Sequence, residues 1–310
     1  MPKVNKFEHY EQGELIVSLG ADIVLYIDPP FTEIRQSILD SADIFFNICN
    51  KNQLHWYSTR TMSHYKPTTT RTFGMLTTWL KPGGKPRDTF SLDLKSGDRE
   101  RSNPEYRYKI SGHERNTMYF KGKSNHIRAL FPSALLAQKP NEFLQIIIDL
   151  CNQVPFLSGH AGFVFERSPY QEARSYQIAY ALGMRYVGVD IADIHNAPRA
   201  VKRDGVKGVN WLTILSYPFL EELGGRPAID HLTSKNIDVI DTKYGVILKA
   251  GDKPQIGDVN RGKLPEEYRL VYNVIKPLQE RAVERCTPFG LATPDKYERT
   301  QNWYRRFAHE

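Results

Sequence analysis

Apolar residues first concentrate in two runs, 14–19 and 23–27, separated by Gly20-Ala21-Asp22. The pattern predicts two strands joined by a turn, because branched apolar residues favour strands and Gly and Asp interrupt them. Asp28-Pro29 then supplies a helix start. Ile34, Ile38, Ala42, Phe45 and Cys49 recur at near-helical spacing and predict a helix over 31–50. A strand at 54–57 completes a β-β-α-β order. Between 60 and 80, Phe73, Leu76 and Leu80 have helical spacing, while the threonines around them oppose it.

Alternation governs the next stretch. Phe90, Leu92 and Leu94 predict one strand set in long loops, and Tyr106, Tyr108 and Ile110 predict another with Arg107 and Lys109 on its opposite side. A further strand is expected at 127–131. The segment 142–154 is apolar on nearly every side, which predicts a central helix covered on most faces. Phe163-Val164-Phe165 reads as a short inner strand. A second β-β-α-β order thus runs over 105–166.

Residues 170–182 predict a helix closed by Gly183 as a left-handed cap, followed by a short element at 186–191. The stretch 211–223 has helical spacing, with Pro218 near its start or kinking it, and Gly224-Gly225 ends it. Strands at 237–240 and 246–248 flank a turn. Pro265 opens a last long helix with Tyr268, Val271, Tyr272, Ile275 and Leu278 as its apolar stripe and a bend at Pro277. Trp303, Tyr304 and Phe307 are expected to pin the tail onto the body. These elements predict an α+β fold: a mixed, largely antiparallel sheet flanked by helices, with two β-β-α-β-like portions in one domain over 1–310.

Composition narrows the class. With 310 residues, 40% hydrophobic and 12% aromatic, the chain has enough apolar surface to order itself. No stretch of eighteen apolar residues occurs, so no membrane span is expected, and the first ten residues lack the apolar core of a signal peptide. Cys49, Cys151 and Cys286 are too scattered for a disulfide framework or a zinc knuckle and read as core filler in a cytoplasmic protein. The net charge of +7 is uneven. Residues 81–128 carry 12 bases and 6 acids, whereas 1–80 is net −1 and 129–310 net +2.

That segment raises a nucleic-acid reading, with Arg107 and Lys109 beside Tyr106, Tyr108, Tyr119 and Phe120, against the plainer reading of a solvated strand pair. Asp190, Asp193 and His195 offer carboxylates and an imidazole for a metal-dependent enzyme, although Asp193 as a helix cap is the commoner role. His160 and Glu166 lie on one predicted strand, six apart, where an acid–base pair is conceivable. No nucleophile elbow, phosphate loop or dinucleotide fingerprint is present, and Gly83-Gly84-Lys85 lacks the rest of a phosphate loop. No catalytic residue, cofactor or metal is therefore expected. The stretch 249–262, with glycines at 251, 257 and 262 and turn-forming Asp252, Asp258 and Asn260, predicts a rigid loop.

The C-terminal half resembles the TsiV-type family of type VI secretion immunity proteins. The resemblance rests on Gly159-His160-Ala161-Gly162-Phe163, Gly188-Val189-Asp190-Ile191, Gly208-Val209-Asn210-Trp211-Leu212-Thr213-Ile214-Leu215, Leu223-Gly224-Gly225, the stretch from Ala250 to Gly262, and Pro265 with Tyr268. It spans about 159–281 and leaves 81–128 as an insertion-like segment. It implies a non-enzymatic antitoxin that binds a secreted effector, a DNase in several members of the family, and occludes its active site in the cytoplasm. No catalytic residues come with it. A DNA-cleaving partner carries a basic groove, and the acids at 221–258 offer a complementary face. The expected partner-binding residues are Glu221, Glu222, Asp238, Asp241, Tyr244, Asp252, Lys253, Gln255, Asp258, Asn260 and Arg261. The expected partner is the toxin; neither a membrane nor nucleic acid is favoured.

Overall fold

The computed structural model describes residues 7–84, 87–193 and 196–308. Its strands are β1 (His9–Glu11), β2 (Glu14–Ile27), β3 (Trp56–Thr59), β4 (Lys66–Pro67), β5 (Thr89–Lys95), β6 (Arg107–His113), β7 (Asn125–Pro132), β8 (Phe156–Arg167), β9 (Asp190–Ile191), β10 (Leu212–Ser216), β11 (Ile237–Thr242) and β12 (Gly245–Ala250). They form one sheet in the order β11-β12-β10-β8-β2-β7-β6-β5-β3-β4, with β1 on β2 and β9 on β8. All pairings are antiparallel except β8 with β9. The longer helices are α1 (Arg35–Ile48), α2 (Pro140–Gln153), α3 (Glu172–Arg185), α4 (Glu266–Glu284) and α5 (Lys296–Tyr304). The fold is α+β; the second expected β-β-α-β order is present as β6-β7-α2-β8, whereas the two strands expected to open the first are the single strand β2, preceded by β1.

Strand β2 runs without a break through Gly20-Ala21-Asp22, where a turn is expected from sequence. It is flanked on both sides, by β7 along 20–27 and by β8 along 17–27, so its backbone groups are paired throughout and the glycine has no freedom to turn. The hairpin of this region lies earlier, between β1 and β2. Likewise β8 is a twelve-residue strand rather than a three-residue one.

Period-two alternation divides the sheet into two unlike faces. Val17, Leu19, Ala21, Ile23, Leu25 and Ile27 of β2 enter the main apolar core. Helices α1 and α2 contribute Ile38, Ala42, Phe45, Phe143, Ile147 and Leu150 to the same core. Phe45 packs 5.3 Å from Tyr108 and 5.5 Å from Phe131, which meets Phe143 edge-on at 6.2 Å. Helix α2 is buried on one side only: Gln145 and Asp149 are exposed and Leu144, Ile146 and Ile148 half-buried, so it is a flanking helix and not the enclosed one expected.

Three further elements differ from the sequence expectation. Residues 211–223 divide into β10 and a short helix Tyr217–Glu222, with Pro218 in the helix's first turn, where its missing N–H costs nothing. Trp211 precedes the strand, and its indole donates to the Gly251 carbonyl at 3.0 Å. Gly183 lies inside α3, where a Cβ would meet Trp303 Nε1 at 2.8 Å and Ile191 Cδ1 at 2.9 Å; close approach, not a left-handed cap, explains the glycine. The segment 81–128 supplies β5, β6 and the first half of β7, so it is built into the sheet. The tail does fold back, with Trp303, Tyr304 and Phe307 buried.

Candidate functional site

The sheet's second face carries charge in its interior. Asp22 of β2, Asp93 of β5, Arg107 and Lys109 of β6, Arg128 of β7 and Glu166 of β8 project from alternate positions and are all buried. Arg128 places Nε 2.7 Å from Asp22 and Nη2 2.6 Å from Glu166. Arg107 grips Asp93 with two nitrogens at 2.8 and 2.6 Å and reaches the other Glu166 oxygen at 3.0 Å. Tyr65 donates to Asp93 at 3.0 Å and Lys109 lies 3.5 Å from it. Burial opposes the charge on Glu166, but Arg128 and Arg107 outweigh it and lower its pKa. Burial pushes Lys109 down to about 8 despite Asp93.

Arg107 and Lys109 are therefore neither a nucleic-acid surface nor a solvated strand face; they are interior partners of carboxylates. The alternation was legible, but the cover was not. Ala192 and the helix Ala197–Val201 cover this face: Ala192 packs with Leu130 and Val164, and Ala197 and Val201 with Val24 and Tyr26. Of the bases in 81–128, Lys95, Arg107, Lys109 and Arg128 are buried. A cleft of about 390 Å³ opens beside this layer, with Arg60, His64, Tyr65, Lys109, Arg167 and Glu172 in its walls.

A second polar group surrounds β9. Asp190 lies 2.6 Å from Lys207 Nζ and 2.9 Å from His160 Nε2. Burial opposes its ionisation, yet Lys207 and His160 hold it well below the usual carboxylate range. Asp193 accepts from Tyr176 at 3.1 Å and from the Asn196 N–H at 3.4 Å, just ahead of the short helix Ala197–Val201, whose cap position is Asn196 and not Asp193; here burial prevails and the pKa is raised. His195 lies outside the described residues, as does Lys85. Among the described residues no cluster of three metal-ligating side chains occurs. His160 and Glu166 share strand and face, but six residues of strand hold them roughly 20 Å apart, and each is committed to other partners. The three cysteines are buried, with the thiols of Cys49 and Cys286 pushed up by burial to about 12 and about 11.

The expected partner-binding residues fall in two places. Around β11 and β12, Glu221, Glu222, Asp238 and Asp241 are exposed and Tyr244 is half-buried. Most of these acids have a cation already: Asp238 has Lys249 at 2.6 Å, Asp241 has Arg226 and Glu222 has Arg281. The crowd of acids is thus largely a set of ion pairs. The others lie on the loop between β12 and α4. Asp252, Lys253, Asn260 and Arg261 are exposed and Gln255 is half-buried.

Asp258 is buried. Arg185 at the end of α3 holds both its carboxylate oxygens at 3.0 Å. Its backbone pairs with Lys263 through bonds of 2.7 and 3.0 Å, closing a small hairpin turned by Gly262 at φ +64°. Further back, the Gln255 N–H donates to the Tyr268 hydroxyl, the Gln255 amide to Glu267, and the Gly188 N–H to the Ile256 carbonyl. The loop is therefore as rigid as its glycines suggest. It leaves Val259 and Leu264 outside, 43% and 48% exposed. Those two apolar residues were not singled out by sequence, because nothing local distinguishes them from core residues.

The buried charges thus brace a scaffold, and the loop is a firmly tied exposed feature on it. The TsiV family model, type VI immunity for VRR-NUC, matches residues 38–307, and the chain belongs to that family. The match includes 81–128, so that segment is part of the family's span. A type VI secretion system protein of Pseudomonas aeruginosa, PA0821, has a similar structure, with a TM-score of 0.81 at 21% identity over 98% of this chain and 88% of the other; that likeness shows the fold. No curated protein matches the sequence. No helix among the described residues is long and apolar enough to cross a membrane.

Proposed function

We propose that this chain is the cytoplasmic immunity partner of a VRR-NUC effector with DNase activity. It binds the effector one-to-one, covers its active site, and performs no catalysis of its own. The family match over 38–307 carries this reading. Two structural features support it. The titratable groups with catalytic potential, Glu166, Asp190 and His160, are engaged with one another's cations and carboxylates in the interior. The loop 252–264 offers a pre-shaped contact, which lowers the ordering cost of binding. In this reading Val259, Asn260, Arg261, Leu264, Asp252 and Lys253 touch the effector, Glu221, Glu222, Asp238, Asp241 and Tyr244 flank it, and Gln255 and Asp258 hold the loop in shape.

The experiment is co-expression of the chain with the VRR-NUC effector encoded beside it. Survival and co-elution as one complex are expected. Cell death in the presence of soluble chain, with the two proteins eluting separately, would sink the reading.

A further inference from the structure

Once Lys95, Arg107, Lys109 and Arg128 are withdrawn into the sheet, and with Arg115 held by Glu33, two of the remaining cations of 81–128 fall together. Lys121 and Lys123 lie on and beside the short helix Met118–Gly122 that joins β6 to β7. The fold brings two more cations from distant parts of the chain: Arg60, just after β3, and Arg199, on the helix Ala197–Val201. Arg60 Cζ lies 4.5 Å from the Tyr119 ring centroid and Lys123 Nζ 5.8 Å from it, so two cations share one ring. Among the described residues none of Arg60, Lys121, Lys123 and Arg199 takes part in an ion pair, in contrast to most of the acids near β11. Their mutual repulsion is felt locally: burial, then Arg199 and Arg60, lowers the Lys123 pKa. His113 beneath is pushed down to about 4 by burial, then by Lys123, Arg60 and Arg203.

On the same short helix as Lys121, Met118 is 82% exposed and Tyr119 43%. The turn that carries them is held firmly. The Arg203 guanidinium stacks 3.6 Å from the Phe120 ring centroid, donates to the carbonyls of Phe120 and Lys123, and is itself held by Asp28 at 2.5 Å. An apolar, flexible thioether presented on an anchored turn, with unpaired cations beside the next residue, is a good knob for a partner. The cations would steer an acidic surface into contact, and the methionine would fill an apolar recess within it.

We propose that the surface around Met118 and Tyr119 is a docking site for an acidic face of a protein partner that contains an apolar recess. Single-stranded nucleic acid fits less well, because stacking needs a free aromatic face and Tyr119 is attended by two cations. A duplex has no use for an exposed methionine. The inference rests on the immunity reading for the partner's identity: the acidic face belongs to the effector.

The test measures association of the VRR-NUC effector encoded beside this chain with the wild type, with Arg60→Glu/Lys123→Glu and with Met118→Asp, at low and at physiological salt. The charge reversal is expected to slow association about ten-fold or more at low salt and to flatten its salt dependence, and Met118→Asp to speed dissociation. A second pair at exposed positions, Lys121→Glu/Arg199→Glu, serves if the first variant does not fold. Unchanged rates in a folded variant overturn the docking site. If the wild type itself does not bind, the immunity reading fails and takes this partner with it, and wild type and variants then behave alike. Salt-sensitive binding of a short DNA duplex or single strand by the wild type, lost on charge reversal, would overturn the protein occupant in favour of nucleic acid.

Discussion

Arg128 and Glu166 meet at 2.6 Å in the interior of the sheet, although β7 and β8 are not neighbours and β2 runs between them. The pair therefore reaches over β2, where Arg128 also takes Asp22, and Glu166 continues the chain of charges to Arg107. Removing the shared carboxylate leaves two buried guanidiniums short of a partner. Glu166→Gln is expected to cost about 3–5 kcal/mol, measured as a fall in the urea midpoint at constant slope. Glu33→Gln, which breaks the exposed two-point pair with Arg115, is expected to cost less than about 1 kcal/mol. Equal effects would contradict the view that the charged layer is structural.

Asp190 and Asp193 stand three residues apart and are shifted in opposite directions. Asp190→Asn leaves Lys207 and His160 facing a neutral group and should cost about 3–5 kcal/mol. Asp193→Asn keeps an acceptor for Tyr176 and Asn196 and should change stability by no more than about 1 kcal/mol. The pH dependence follows from the signs. Asp190 is lowered, so its contribution is present above the unfolded value, about 4, and is lost as pH falls below it. Asp193 is raised, so the folded state binds the extra proton and stability declines as pH rises through its window. Thermal midpoints from pH 4 to 8 should therefore decline less for Asp193→Asn than for wild type.

Gly183→Ala should destabilise the protein even though alanine favours helix by about 1 kcal/mol. The new methyl would strike Trp303, which is buried and packed 5.4 Å from Phe289, and Ile191. Overpacking of this kind costs about 1–3 kcal/mol. A higher melting temperature for the variant would show that the glycine is not there for clearance.

The elements that sequence made legible are those whose signals are local. Helix α1 follows from Ile38, Ala42 and Phe45, and the β11–β12 hairpin from its two short apolar runs. The loop 249–262 announces its rigidity through its glycines. What the sequence hid is non-local. Gly20-Ala21-Asp22 reads as a turn because the residue that accommodates Asp22 is Arg128, far along the chain. Leu92-Asp93-Leu94-Lys95 and Arg107-Tyr108-Lys109-Ile110 read as half-solvated strands because the cover from Ala192, Ala197 and Val201 cannot be seen in either. Helical spacing at Leu212, Leu215 and Phe219 arises from a strand and a helix joined end to end. The candidate site was legible as a loop, not as a surface: Asp258 proves to be its strut, while Val259 and Leu264 emerge as its exposed apolar pair.

Arg185→Ala removes the two-point hold on Asp258, leaving Arg261 at 3.7 Å among its partners, and should loosen the hairpin 258–263 without unfolding the core. Amide exchange at the Asp258 and Lys263 N–H groups is expected to rise while the melting temperature falls by only a few degrees, and effector affinity is expected to drop about ten-fold through lost pre-organisation. Unchanged affinity with a mobile hairpin would remove the loop from the interface.

The central claim is neutralisation by covering the effector's active site. Its most direct test is plasmid cleavage by the purified effector titrated with this chain, using the Arg261→Glu/Leu264→Asp variant as comparison. The account predicts that cleavage stops at a one-to-one ratio with the wild type and persists at that ratio with the variant. Full cleavage in the presence of excess, folded wild-type chain would contradict it.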